Sequence, residues 1–227
     1  IHQCRGDGKS IEFVDGSTME VDVIVWCTGF QYDFPFLSEQ VLDRNNGPSS
    51  LLKKHCALSC NGRRLRGLYE HLFSAYDPTL AFIGIPYAIV PFPMFYVQAK
   101  WIAAVLSEET VLPSLQERFE WMAERERLLE DTGRNNDSKY HYFSEEQWDY
   151  NRRVAGWGCN ESKEGGSCES LNSELKALVD ELNLSEAIYQ DNSKARPPAV
   201  GLPDTYRKFQ YILNRKEGTF EKILCSR

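Results

Sequence analysis

Apolar and polar positions alternate twice in quick succession, over Ile11-Glu-Phe-Val14 and over Met19-Glu-Val21, on either side of Asp15-Gly16-Ser17. Period-two alternation marks a strand with one covered face, and Asp-Gly favours the left-handed backbone of a tight turn, so the pattern predicts a hairpin. From Val21 to Cys27 the alternation gives way to the continuous run Val23-Ile-Val-Trp-Cys27, which ends at Thr28-Gly29. Such a run predicts a strand covered on both faces of an α/β sheet. Residues 31–66 hold Pro35, Asn45-Asn46-Gly47-Pro48 and several serines, and read as a loop-rich crossing. Leu80-Ala-Phe-Ile-Gly-Ile85 predicts a second buried strand, stopped by Gly84 and Pro86.

Beyond Pro91 the period changes. Pro93 suits the first turn of a helix, and Met94, Val97, Trp101, Ile102, Val105 and Leu106 recur at helical spacing before Pro113. Ser114-Leu-Gln-Glu117 has the form of a capping box ahead of Phe119, Met122 and Leu129, and Ser144-Glu-Glu-Gln147 repeats it before Trp148 and Tyr150. Residues 156–170 are rich in Gly, Ser and Glu and read as a loop. Leu171, Leu175, Leu178, Val179 and Leu182 then predict an amphipathic helix, and a last helix is expected from Asp204 across Tyr206, Phe209 and Leu213. The fold class is α/β, with a mainly helical C-terminal extension.

Composition narrows the function. With 42% hydrophobic and 12% aromatic residues in 227, the chain can build real cores. A net charge of −7 disfavours nucleic acid, whose binding needs clustered Lys and Arg, and Arg63-Arg64-Leu65-Arg66 reads as a solvated loop. The apolar region Leu80–Leu106 is broken by Gly84, Pro86, Pro91, Pro93, Gln98 and Lys100, so it lacks the roughly 18 clean residues of a membrane anchor. Seven scattered cysteines do not form a disulfide framework, which points to a reducing, cytoplasmic setting. His55, Cys56, Cys60 and His71 lack the spacing of a zinc site. The start, Ile-His-Gln-Cys-Arg-Gly, has neither an initiator Met nor a signal pattern, and suggests a chain that begins mid-protein.

Two nucleotide-site lookalikes fail on context. Gly8-Lys9-Ser10 imitates the end of a P-loop, but Gln3 stands where its first glycine belongs; Gly156-Trp-Gly158 has Glu161 at the third glycine position of a dinucleotide fingerprint.

More telling is a succession in fixed order. Asp22-Val-Ile-Val-Trp-Cys-Thr-Gly-Phe30 is followed by Leu68-Tyr-Glu-His-Leu-Phe73, then Pro78-Thr-Leu-Ala-Phe-Ile-Gly-Ile85. Phe92-Pro-Met-Phe-Tyr-Val-Gln-Ala-Lys-Trp101 and Leu112-Pro-Ser114 complete it. It resembles the C-terminal part of flavin-containing monooxygenases, with the plant-type S-oxygenating branch most similar, and covers residues 10–115 well. Cys27 stands where the family usually has Ala, Phe30 where it has Tyr, and Tyr96 at a position often Glu.

The resemblance implies a partial FAD/NAD(P)-binding three-layer fold. Residues 1–30 would end an NADPH-binding domain, 31–67 cross over, 68–113 close the FAD-binding domain, and 114–227 form the helical extension. It implies FAD and NADPH as cofactors, dioxygen and a small nucleophilic substrate as partners, and sulfur or nitrogen oxygenation through a flavin C4a-hydroperoxide. A homo-oligomer is left open.

Cofactor-binding positions implied are Thr28, Gly29 and Phe30, near nicotinamide and substrate, and Gly84, Ile85 and Gln98, near the flavin. No side chain is assigned as catalytic, and His71 reads as a packed histidine. A Baeyer–Villiger enzyme or a non-catalytic binding module derived from the fold are the alternatives. A dithiol reductase is disfavoured because no C-x-x-C pair occurs. The isolated chain is expected to be inactive and poorly soluble.

Overall fold

A computed structural model describes residues 1–6, 8–27, 29–38, 41–43, 58–133, 136–158, 168–194 and 209–224. Helix and sheet are mixed, and the chain divides into two units, Ile1–Gln31 and Tyr32–Arg227.

In the first unit β1 (Gln3–Cys4), β2 (Ser10–Glu12) and β3 (Thr18–Glu20) form an antiparallel sheet in that order. The expected hairpin is β2–β3, with Ile11 opposite Met19. Gly16 closes its turn at φ 83°, and the Asp15 carboxylate accepts from the Ser17 amide and hydroxyl at 3.0 and 2.7 Å. The strand expected at residues 21–27 does not form, and Val23, Val25 and Trp26 are exposed. A doubly covered strand draws its stability from ladders on both sides, and among the described residues none pairs with it.

The second unit opens with a small sheet in the stretch expected to be irregular. There β4 (Leu42–Asp43) runs parallel to β5 (Leu58–Cys60), and β6 (Leu65–Arg66) antiparallel to it. Leu42, Leu58 and Leu65 pack with Leu68, Phe82 and Ile85 into one core. This corrects the reading of Arg63–Arg66 as a solvated loop. Arg64 is buried, stacked 3.5 Å over the Tyr140 ring and paired with Glu126. Guanidinium planes are weakly hydrated and stack readily on aromatic faces, which burial of this arginine exploits.

A hairpin of β7 (Leu68–Tyr69) and β8 (Phe73–Ser74) begins the second core. Helices α1 (Pro91–Leu106), α3 (Glu146–Gly158) and α4 (Cys168–Lys194) supply most of the rest, including Met94, Val97, Trp101, Val154, Leu178 and Leu182. The expected strand at residues 80–85 reduces to one antiparallel bridge, Ala81 to Phe73, because the Gly84 turn and Pro86 end it at once.

Helix α2 (Leu115–Asp131) has its capping box: the Glu117 amide donates to Ser114 Oγ at 3.3 Å, and the Ser114 amide to the Glu117 carboxylate at 2.8 Å. The second box, at Ser144, does not form. Gln147 turns its side chain away to accept the Val90 amide at 2.6 Å. The last expected helix is also overturned. Residues 204–208 lie outside the described residues, and β9 (Phe209–Asn214) and β10 (Thr219–Leu224) form an antiparallel hairpin. Here Phe209, Tyr211 and Leu213 fit the period of a strand as well as that of a helix, and the contact of Tyr211 with Phe220 across the ladder favours the strand.

Candidate functional site

Helix α1 buries Met94, Val97, Gln98, Trp101 and Ala104, a stripe of one helical face with one polar member. A buried amide must spend its hydrogen bonds. Gln98 does so at both ends: Oε1 accepts the Gly84 amide at 3.0 Å, and Nε2 donates to the Tyr150 hydroxyl at 2.9 Å. Tyr150 in turn donates to the Glu70 carbonyl at 3.0 Å, and burial raises its phenol well above the usual range, so it keeps its proton. Gln98 therefore braces the turn before α1 from behind.

Gly84 adopts φ 83°, and a Cβ there would meet a Phe95 ring carbon at 2.8 Å. Glycine is required by the left-handed backbone and by the helix that folds back over it. The carbonyl of the buried Ile85 accepts the Tyr32 hydroxyl at 2.5 Å, a phenol pushed up to about 12 by burial. Gly84, Ile85 and Gln98 thus share one hydrogen-bonded turn. Gly29, at φ 80°, and the exposed Phe30 belong to the first unit, and Thr28 lies outside the described residues.

The exposed start of α1 has unspent electrostatic capacity. Val90 makes no side-chain cap, and the first turn holds no acidic residue, so the positive end of the helix is uncompensated. Of the four leading N–H positions, Pro91 and Pro93 have none and Val90 donates to Gln147, which leaves the Phe92 amide for a ligand. The flanking side chains Ile83 and Phe92 are exposed. An aromatic ring system that gathers negative charge fits an apolar ledge beside a bare helix N-terminus. No group of three or more His, Cys, Asp or Glu among the described residues could hold a metal ion; His55 and Cys56 lie outside them.

Behind Tyr150 lies a polar layer that sequence spacing could not reveal. Glu70 and His71 occupy successive left-handed positions, φ 50° and 53°, in the turn between β7 and β8. His71 is buried as expected, and its Nδ1 lies 2.9 Å from His141 Nδ1. His141 Nε2 accepts the Leu65 amide at 3.1 Å. Burial and nearby cations hold His71 well below the ordinary imidazole range and His141 at about 3, so both rings are neutral. Glu70 is also buried, which raises its carboxyl, while Arg153 at 2.9 Å opposes the rise.

The flavin-binding monooxygenase-like family model matches residues 6–151. Flavin-containing monooxygenase FMO GS-OX-like 4 of Arabidopsis thaliana is 38% identical over 168 residues, 72% of this chain and 33% of that protein. FMO GS-OX-like 2 of the same plant is 42% identical over 124 residues, 53% of this chain and 23% of that protein. Among solved structures, S-allyl-L-cysteine S-oxygenase from Allium sativum matches with a TM-score of 0.56 at 31% identity, covering 86% of this chain and 37% of that one. The chain spans about a third of the length of such relatives. Dependence on FAD and NADPH is what this family implies. On a match that takes in the Gly84 turn, all of α1 and Tyr150, the chain belongs to the flavin-binding monooxygenase-like family.

Proposed function

We propose that the chain is the C-terminal part of an FAD- and NADPH-dependent monooxygenase, of the N,N-dimethylaniline monooxygenase-like type, that oxygenates sulfur or nitrogen of small nucleophilic molecules in the cytoplasm. The bare, acid-free N-terminus of α1 carries this reading, because it offers the Phe92 amide and a positive helix end beside an apolar ledge. The relatives named for S-oxygenation and for flavin support it. FAD, when bound, supplies hydride acceptance from NADPH and the activation of dioxygen.

This chain's residues then act by position. Gln98 and Tyr32 hold Gly84 and Ile85 in place, so that the turn and the helix start present a fixed backbone edge to the flavin. Thr28, Gly29 and Phe30 belong near the nicotinamide and substrate, Phe30 by its apolar face. The packed neutral His71 takes no part in proton transfer. In this reading the helical extension shapes substrate access, and the chain by itself is inactive.

The test is FAD titration of the longer protein, followed by quenching of flavin fluorescence, with and without Phe92→Glu. A carboxylate in the first turn favours the helix itself by about 0.3 to 1 kcal/mol. It repels the negative charge that the flavin ring gathers on reduction, so oxidised FAD should bind both proteins alike, while the midpoint potential of the bound flavin falls by about 30 mV in the variant, tenfold for a two-electron couple, and thermal stability holds. An unchanged potential in the variant, or no flavin bound by the parent, sinks the reading.

A further inference from the structure

We infer that a second site, independent of the flavin reading, binds a small carboxylate in a cleft between the β7–β8 turn, α2 and α3. The cleft has a volume of about 140 Å³, and Glu70, His71, Arg125, Glu146, Asp149 and Arg153 contribute to its wall. That volume suits a molecule of a few heavy atoms.

The class of ligand follows from which hydrogen bonds are already spent. Glu70 accepts from Arg153 at 2.9 Å and from the Trp121 indole. Glu146 accepts Arg125 Nη1 at 3.1 Å, and Asp149 accepts Arg152 at 2.7 Å. The acids are therefore engaged by cations. The donors are not. Arg125 Nε and Nη2 are buried with no partner among the described residues, although Nη1 is anchored. Nε–H and Nη2–H lie on one edge of the guanidinium, the parallel pair that grips both oxygens of a carboxylate.

The third donor is fixed by a relay of tautomers. The Leu65 amide donates to His141 Nε2, so neutral His141 carries its proton on Nδ1 and gives it to His71 Nδ1. His71 must then be protonated on Nε2, and that buried N–H also has no partner among the described residues. Arg125 and His71 both lie against the Phe143 ring. Orphaned buried donors are costly and are satisfied by water or by a ligand. Since the buried atoms of this wall left with no partner among the described residues are all donors, the occupant is an acceptor, and a carboxylate answers the two-pronged edge.

Acetate serves as the probe. The full chain is titrated with sodium acetate at constant ionic strength, balanced by sodium chloride, while arginine Nε–H signals are followed by nuclear magnetic resonance. One arginine signal should shift saturably. Arg125→Lys keeps the charge and the Glu146 pair but loses the fork, and should weaken binding at least about tenfold. Arg127→Gln, on the exposed face of α2, should leave it unchanged. Arg125→Gln should behave as the lysine variant does, and if it fails to fold, Arg125→Lys decides. A saturable shift lost in Arg125→Lys and kept in Arg127→Gln supports the site. No saturable shift, an equal response to chloride, or full binding by Arg125→Lys means that the cleft holds water alone and overturns it.

Discussion

Gly84 answers two constraints at once, and they can be separated. Gly133 shares the left-handed backbone at φ 65° but has open space around its Cβ direction, whereas at Gly84 the Phe95 ring fills it. Gly133→Ala should cost about 1 to 2 kcal/mol through the backbone alone. Gly84→Ala should cost about 1 to 3 kcal/mol more, because ring and methyl cannot share the space. Urea midpoints measure both, and equal losses would show that Phe95 simply moves aside. Glycine and proline at this bend were readable in the sequence, since few residues survive there. The partners were not: nothing in local spacing announces that Gln98 meets Gly84 and Tyr150, or that Arg64 leaves solvent to stack on Tyr140.

Among elements, those fixed by nearest neighbours were legible except the Ser144 box, whose Gln147 is drawn to distant Val90. The Asp15-Gly16 hairpin and the Ser114–Glu117 cap depend on side chains that reach only two or three residues. Elements that depend on distant partners were misread, namely the residue 21–27 strand, the short β4–β6 sheet and the β9–β10 hairpin. The carboxylate cleft was invisible for the same reason, since its wall comes from three separate segments. Helices α1 and α3 are joined by a link of this long-range kind. Tyr150→Phe removes the hydroxyl that accepts from Gln98 and donates to the Glu70 carbonyl, and leaves the ring packing intact. It should cost about 1 to 3 kcal/mol. A double mutant with Gln98→Leu should recover part of that loss, and strict additivity of the two would deny the coupling.

For the molecule as a whole, pH and association give two further checks. The unfolded chain takes up a proton at each of His71 and His141 near pH 6.5, and the folded chain does not until far lower, about 3 for His141. Their stability contribution is complete above about 6.5 and falls with pH by about 1.4 kcal/mol per unit for each ring. Glu70 runs the other way: its raised carboxyl stabilises at low pH and loses that contribution as pH rises through its folded value. One carboxyl opposes two imidazoles that are only half protonated at pH 6.5 in the unfolded chain, so stability should drop by about 1 kcal/mol per unit or more between about pH 6.5 and about pH 5. Urea unfolding across that range checks the slope, and a flat profile would mean that the histidines are solvated. In the first unit, exposed Val23, Val25 and Trp26 form a run suited to cover on both faces. The chain should self-associate, and Val25→Lys should lower its sedimentation average without changing helix content; an unchanged average would count against that run as the contact.

The grip of Gln147 on Val90 spans 57 residues of sequence, and that distance has a meaning in time. At roughly 5 to 20 residues per second, synthesis reaches Gln147 about 3 to 11 seconds after Val90. During that interval α1 can coil but its entry is not yet clamped, and Gln98 waits almost as long for Tyr150. A nascent chain halted before α3 should therefore leave the Gly84 turn open to proteolysis, and one released beyond Tyr150 should close it.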